Sequence, residues 1–255
     1  MSTPKFTKSP LTEVVCGVEF NAPEFSSVHF GLYWQTIKDR FPSPPLDRPP
    51  IGEVEILSIL PNLRRVWFES LDKKQLIQLQ SNRFHYNWRS QNEDDEYPHF
   101  KEIYPKFEQE WQHFQTWWQQ YNSDNLPLGK IHYELTYMNQ IDKKFGWDNP
   151  RDNYKIFTFV GKKWSDNLKK ATNFNAGIEF DISENVGKLI VRLNQIVNPK
   201  DDNNVLLFEL TARSVDTKLD IREWFDLAHK YTVDAFLELI QEETKKEWGL
   251  TWLPE

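Results

Sequence analysis

The chain has 255 residues, a formal net charge of −7, only 9 glycines and a single cysteine. That length is enough to bury a core without disulfide or metal staples. One cysteine excludes an internal disulfide and a cysteine-based zinc cluster, few glycines argue against Gly-rich phosphate loops, and the acidic balance argues against a general nucleic-acid binder, whose phosphates demand local positive charge.

Taken in order, Met1 to Pro10 is polar and is expected as a frayed arm. Val14 to Phe20 (VVCGVEF) reads as a buried strand, with Cys16 a small hydrophobe inside it. Ser26 or Ser27 can cap a helix over Val28 to Arg40, whose apolar face is Phe30, Trp34, Ile37 and Phe41. Pro42 stops it, and Pro42 to Pro50 reads as a stiff exposed connector. Val54 to Leu60, Arg65 to Ser70 and Gln75 to Gln80 read as successive strands, with Leu71 to Lys74 a tight turn and Ser81-Asn82 a bulge.

From Asn82 the chain alternates. Asn82, Phe84, Tyr86 and Trp88 point one way, and Arg83, His85, Asn87 and Arg89 the other, which is the period of a strand. A helix is expected from about Tyr97 to Tyr121, with Pro98 in its first turn and Pro105 kinking or splitting it. Phe100, Tyr104, Phe107, Trp111, Phe114 and Trp118 form one stripe on it, normally core, otherwise a partner-docking surface. Ile131 to Asn139 alternates again and puts His132, Glu134 and Thr136 on a polar face. Asp142 to Lys170 is poorly legible: a short helix near Asn153 to Val160, or a strand at Phe157 to Val160. Phe174 to Ile182, Lys188 to Val197 and Val205 to Val215 read as strands joined by hairpin turns. A last helix is expected from Asp220 to about Trp248, stopped by Gly249.

This order divides near residue 125. Residues 1–125 and 126–255 are expected as two similar β-α-β-β-β-α halves, or as one continuous domain. The fold class is α+β: antiparallel sheet or sheets carry long helices on one face and leave the other open or capped by loops. The chain contains 11 Trp, 9 Tyr and 18 Phe, so the core is expected to be aromatic. No window approaches a membrane span or a signal peptide, so a cytoplasmic location without membrane contact is expected.

Four stretches together resemble one family. They are PLTEVVCGVEF at Pro10 to Phe20, HFGLYWQTIKDRFP at His29 to Pro42, LIQLQSNRFHYNWR at Leu76 to Arg89, and YELTYMNQI at Tyr133 to Ile141. The family is bacterial, sporadically distributed, of about this length, and without an agreed activity. The resemblance therefore implies no cofactor and no catalytic residue. Its patchy distribution suits mobile accessory genes such as defence or toxin–antitoxin loci.

The first candidate site is the polar strand face of Arg83, His85, Asn87 and Arg89 joined by His132, Glu134 and Thr136. Guanidinium forks suit an anion or a carboxylate-bearing peptide. The plainer reading is that Arg89 pairs with Glu134 or caps backbone carbonyls and the rest is solvated. An enzyme of unrecognised type, with His85 as base and Glu134 as orienter, is a further alternative, although no nucleophile is marked nearby. The second candidate is a nucleic-acid surface on the basic segment: Lys143, Lys144, Lys162, Lys163, Lys169 and Lys170, with Trp147, Tyr154, Phe157 and Trp164 to stack on bases. The six histidines make no two-His helical pair, so no metal site is expected. The favoured function is a non-enzymatic binding protein, an antitoxin, regulator or defence-locus component that recognises a protein partner encoded nearby.

Overall fold

Strand alternation decides the architecture, because each strand must hide one row of side chains and expose the other. The computed structural model describes residues 3–51, 65–92, 95–122, 127–161, 165, 167–168, 171–183, 186–198, 201–215 and 218–253. Among them the strands are β1 (Thr3–Phe6), β2 (Leu11–Asn21), β3 (Leu46–Arg48), β4 (Arg65–Glu69), β5 (Gln75–Gln80), β6 (Arg83–Arg89), β7 (Gly129–Ile141), β8 (Asn175–Ser183), β9 (Gly187–Val197), β10 (Asn204–Ser214) and β11 (Leu250–Leu253). The helices are α1 (Ser27–Ile37), α2 (Phe100–Tyr121), α3 (Asn153–Ile156), α4 (Ile221–Leu239) and α5 (Glu242–Glu247). The expected α+β class is what forms.

Nine of these strands make one sheet in the order β3-β4-β5-β6-β2-β7-β10-β9-β8. Every neighbouring pair is antiparallel. The two halves of the chain therefore meet along β2 and β7. From that pair, β6-β5-β4 run outward on one side and β10-β9-β8 on the other, the same sequence of strands in each half. The shared order is a property of the topology, and no duplication follows from it.

One face of the sheet is the core. Val14, Cys16 and Val18 of β2, Phe84, Tyr86 and Trp88 of β6, Leu135 and Tyr137 of β7, and Phe208, Leu210 and Ala212 of β10 are all buried. The α2 stripe from Phe100 to Trp118 packs onto them and is buried throughout, so it is core and presents no docking surface. Phe84 lies 5.5 Å from Trp111, and Phe107 lies 5.0 Å from Phe225 of α4, ring centre to ring centre. Each such ring contributes about 2–3 kcal/mol by leaving water. Cys16 is fully buried, and burial pushes its thiol far up, so it is chemically quiet.

Several elements differ from expectation. Ser81-Asn82 is a two-residue hairpin loop, because Gln80 pairs directly with Arg83; the stretch holds two strands and no bulge. α2 begins at Phe100, and runs unbroken through Pro105; Pro98 precedes it. The last helix is two. Ile240 leaves helical geometry to bridge Phe157, and α5 restarts at Glu242. Asp220 caps α4, with its carboxylate accepting from Glu223 N at 2.8 Å. The proline-rich connector contains the short strand β3. The supposed frayed arm is β1, paired with β11 from Thr3↔Leu253 to Phe6↔Leu250. Gly249 makes that return possible: its φ is +72°, and a Cβ there would stand 2.8 Å from Thr7 Oγ1. The expected strand at Val54 to Leu60 lies outside the described residues.

Candidate functional site

The second face of the sheet is polar, and its residues come from the same alternation that builds the core. Because β2 lies between β6 and β7, the register sets out transverse rows. Arg83–Glu19–His132, His85–Gly17–Glu134, Asn87–Val15–Thr136 and Arg89–Glu13–Met138 stand side by side. All seven residues expected on the polar face are thus on one face. β10 and β9 extend the rows: Glu134 faces Arg213 and then Lys188, and Met138 faces Glu209 and then Arg192.

Burial separates this face into two parts. His85 is only 4% exposed, Asn87 is fully buried and Thr136 is buried. Asn87 Nδ2 donates to Glu13 Oε1 at 2.5 Å. Burial, against the pull of Asn87, Arg89 and Arg65, raises the Glu13 carboxyl above the usual range. Arg89 pairs with Glu69 at 2.5 Å and not with Glu134, because Glu69 lies on β4 within its reach, and its Nη2 also donates to the Lys73 carbonyl at 3.1 Å, as the plainer reading allowed. Glu134 instead accepts from Arg213 Nε at 2.7 Å. Burial works to raise Glu134, but His85, Arg213 and Arg83 outweigh it and hold the carboxyl below its ordinary value. Arg83 pairs with Glu19 at 2.8 Å. Trp67 of β4 lies under three guanidiniums: Arg48 at 4.5 Å, Arg89 at 5.3 Å and Arg65 at 5.6 Å from the ring centre. Gln78 Oε1 accepts from both Trp67 Nε1 and Arg65 Nη1, which fixes the tryptophan edge-on.

The His85 ring lies over Gly17, which separates it from Glu134 in the row. A Cβ on Gly17 would meet His85 Cδ2 at 2.8 Å and Nε2 at 3.0 Å. Gly17→Ala is therefore expected to cost about 1–3 kcal/mol in thermal denaturation, as overpacking against a buried ring does. The cost should shrink in a His85→Ala background; equal costs in both backgrounds would remove the ring as its cause.

As catalytic machinery the set is poor. Desolvation, opposed by Glu134 and aided by Arg83, Arg65 and Arg213, lowers His85 to about 4. Its ring is neutral at pH 7 and nearly closed off from water. Among the described residues no group of three metal-binding side chains comes together. No helix among them is long and apolar enough to cross a membrane.

The open part of the face lies on β7, β10 and β9. Here Arg213 on Glu134, Arg192 on Glu209 at 2.8 Å and Lys188 on Glu179 at 3.4 Å form a ladder whose cations are solvent-facing while Glu134 and Glu209 lie mostly buried beneath them. The side chains of Arg213 and Arg192 remain 43% and 42% exposed while paired. Sequence reading missed Arg213, Arg192, Glu209, Glu13 and Trp67. The alternation Glu209, Thr211, Arg213 along β10 was the available signal for three residues of that row.

Of the aromatic residues expected to stack on bases, Trp147 and Phe157 are buried and Tyr154 is half-buried. Lys143 and Lys144 sit in a 3₁₀ turn, with Lys143 3.3 Å from Asp148. Trp147 and Phe157 are buried in the core, Trp147 Nε1 donating to Asn153 Oδ1 at 2.7 Å. Neither can stack on a base. Lys162, Lys163, Trp164, Lys169 and Lys170 lie outside the described residues.

Compared with family models, curated proteins and solved structures, the chain matches none. The polar face has to be read from its own geometry.

Proposed function

We propose that this protein is a non-catalytic binding protein that recognises a protein partner through the exposed half of its polar sheet face. The observation that supports this reading is the division of the face by burial. The buried half, His85, Asn87 and Thr136, with the half-buried Glu13 held by Asn87, is closed and serves as a polar scaffold. The exposed half offers Arg213, Arg192, Lys188 and His132 between carboxylates, on rigid strands rather than loops. Charges laid out this way give a partner register and specificity more than raw affinity. A partner carrying both signs can exchange each internal pair for an intermolecular one, so little charge is left buried and unpaired.

Co-purification with the products of neighbouring genes tests the reading. Wild-type protein is expected to retain a stoichiometric partner, and the Arg192→Glu/Arg213→Glu variant, folded by circular dichroism, is expected to lose it. Retention by both proteins, or by neither, would end this reading of the face.

A further inference from the structure

The two edges of the nine-stranded sheet are not alike. One is β3, three residues long and bracketed by Pro44, Pro45, Pro49 and Pro50. Short strands and prolines are how an edge is kept from pairing with another chain. The other is β8, nine residues with no proline and no lysine. Its only partner strand among the described residues is β9, and Asn175, Gly177, Glu179 and Asp181 are exposed.

The hydrogen-bond phase of β8 follows from its first contact. Gln195 N donates to Phe174 O at 2.9 Å. In an antiparallel ladder the residues that bond to one neighbour alternate with those that point away. Ala176, Ile178 and Phe180 therefore bond to β9. The N–H and C=O groups of Asn175, Gly177, Glu179 and Asp181 point outward. The Asp181 carbonyl points outward too but already accepts from Tyr231 Oη at 3.1 Å, so the open stretch of the edge runs from Asn175 to Glu179.

We propose that this edge pairs with the β8 edge of a second copy of the chain, antiparallel about a two-fold axis at Ile178. The sequence of the strand favours that register. Centred on Glu179, two carboxylates would face each other. Centred on Ile178, Glu179 faces the partner's Gly177, and Asp181 faces the partner's Asn175, so no acid opposes an acid. On the helix side, Ile178 meets its own copy and Phe180, 37% exposed in the single chain, covers the partner's Ala176. β8 carries two acids and no base. Lys188 of the same chain already meets Glu179 at 3.4 Å, so a second copy in this register brings no acid against an acid and needs no further cation. The result is one sheet continuous through two molecules.

Light scattering during gel filtration, at several loading concentrations, is expected to give twice the 30.6 kDa chain mass. Gly177→Pro removes an outward N–H that β9 does not use, and a Cβ at Gly177 meets nothing closer than Val191 O at 3.9 Å. That variant is expected to stay folded by circular dichroism and to run as a monomer. Ile178→Cys supplies the register. Facing residues of a non-hydrogen-bonded pair have Cα atoms about 4.5 Å apart, within disulfide reach. It should cross-link to itself under mild oxidation, while Phe180→Cys, which faces Ala176, should not. A monomer at every concentration overturns the proposal, as does a dimer indifferent to Gly177→Pro or cross-linking equally through residue 180. Loss of a protein partner in the charge-reversed variant is a separate result and bears only on the polar face.

Discussion

Arg40→Met is expected to cost about 2–3 kcal/mol of folding stability, read as a lower urea midpoint at pH 7. Arg40 follows α1 and grips Glu110 of α2 with both arms, Nε to Oε1 at 2.6 Å and Nη2 to Oε2 at 2.9 Å. Glu110 is only 5% exposed, so the variant leaves a carboxylate buried without its cation. The guanidinium itself is partly solvated, which places the cost at the lower end for such pairs. The double variant Arg40→Met/Glu110→Leu removes the stranded charge along with its partner and should recover most of the loss. A single-variant cost below about 0.5 kcal/mol, the range of ordinary surface changes, would show that water reaches Glu110.

Acidification from pH 6.5 to pH 5 is expected to cost about 3 kcal/mol through two histidines. His85 and His229 both have folded values of about 4 against an ordinary 6.5. A lowered folded value means that the unfolded chain binds the proton first. Their stabilising contribution is complete well above pH 6.5 and is lost as pH falls towards 4, at up to about 1.4 kcal/mol per pH unit for each ring. Burial is the main cause at both sites. His229 is stacked on Phe100 at 4.3 Å, and its Nδ1 lies 2.8 Å from Tyr137 Oη. Glu13 works in the opposite sense, since its raised value adds stability on acidification and offsets part of the loss. The slope of urea-derived stability between pH 6.5 and 5 should therefore be compared between wild type and His85→Gln. A shallower mean slope by about 1.1 kcal/mol per pH unit is expected. Identical slopes would show that the imidazole titrates normally.

The strands were legible wherever one side of the chain had to be apolar. RFHYNWR and IHYELTYMN show period two plainly, and both landed in the sheet with the expected faces. β2 was legible as buried, yet its polar row was not. Glu13 and Glu19 sit among Val14, Val15, Cys16 and Val18, and a central strand between two neighbours reads as an apolar run. The break between α4 and α5 was hidden because Gln241 to Glu247 continues a helical composition; only the bridge from Ile240 to Phe157, far away in sequence, forces the interruption. The β1–β11 ribbon was illegible for a similar reason. TPKF has no alternation of its own and becomes a strand because Leu250–Leu253 is there to bond it. For the candidate site, alternation identified which residues share a face but could not rank them by burial. Accessibility depends on packing across neighbouring strands, which no single segment contains.

That same ribbon sets Thr3 directly opposite Leu253, so the backbone comes close to describing a ring. Fraying of either strand of the ribbon therefore unpairs the other, and the two loosen together while every pairing in the large sheet is retained.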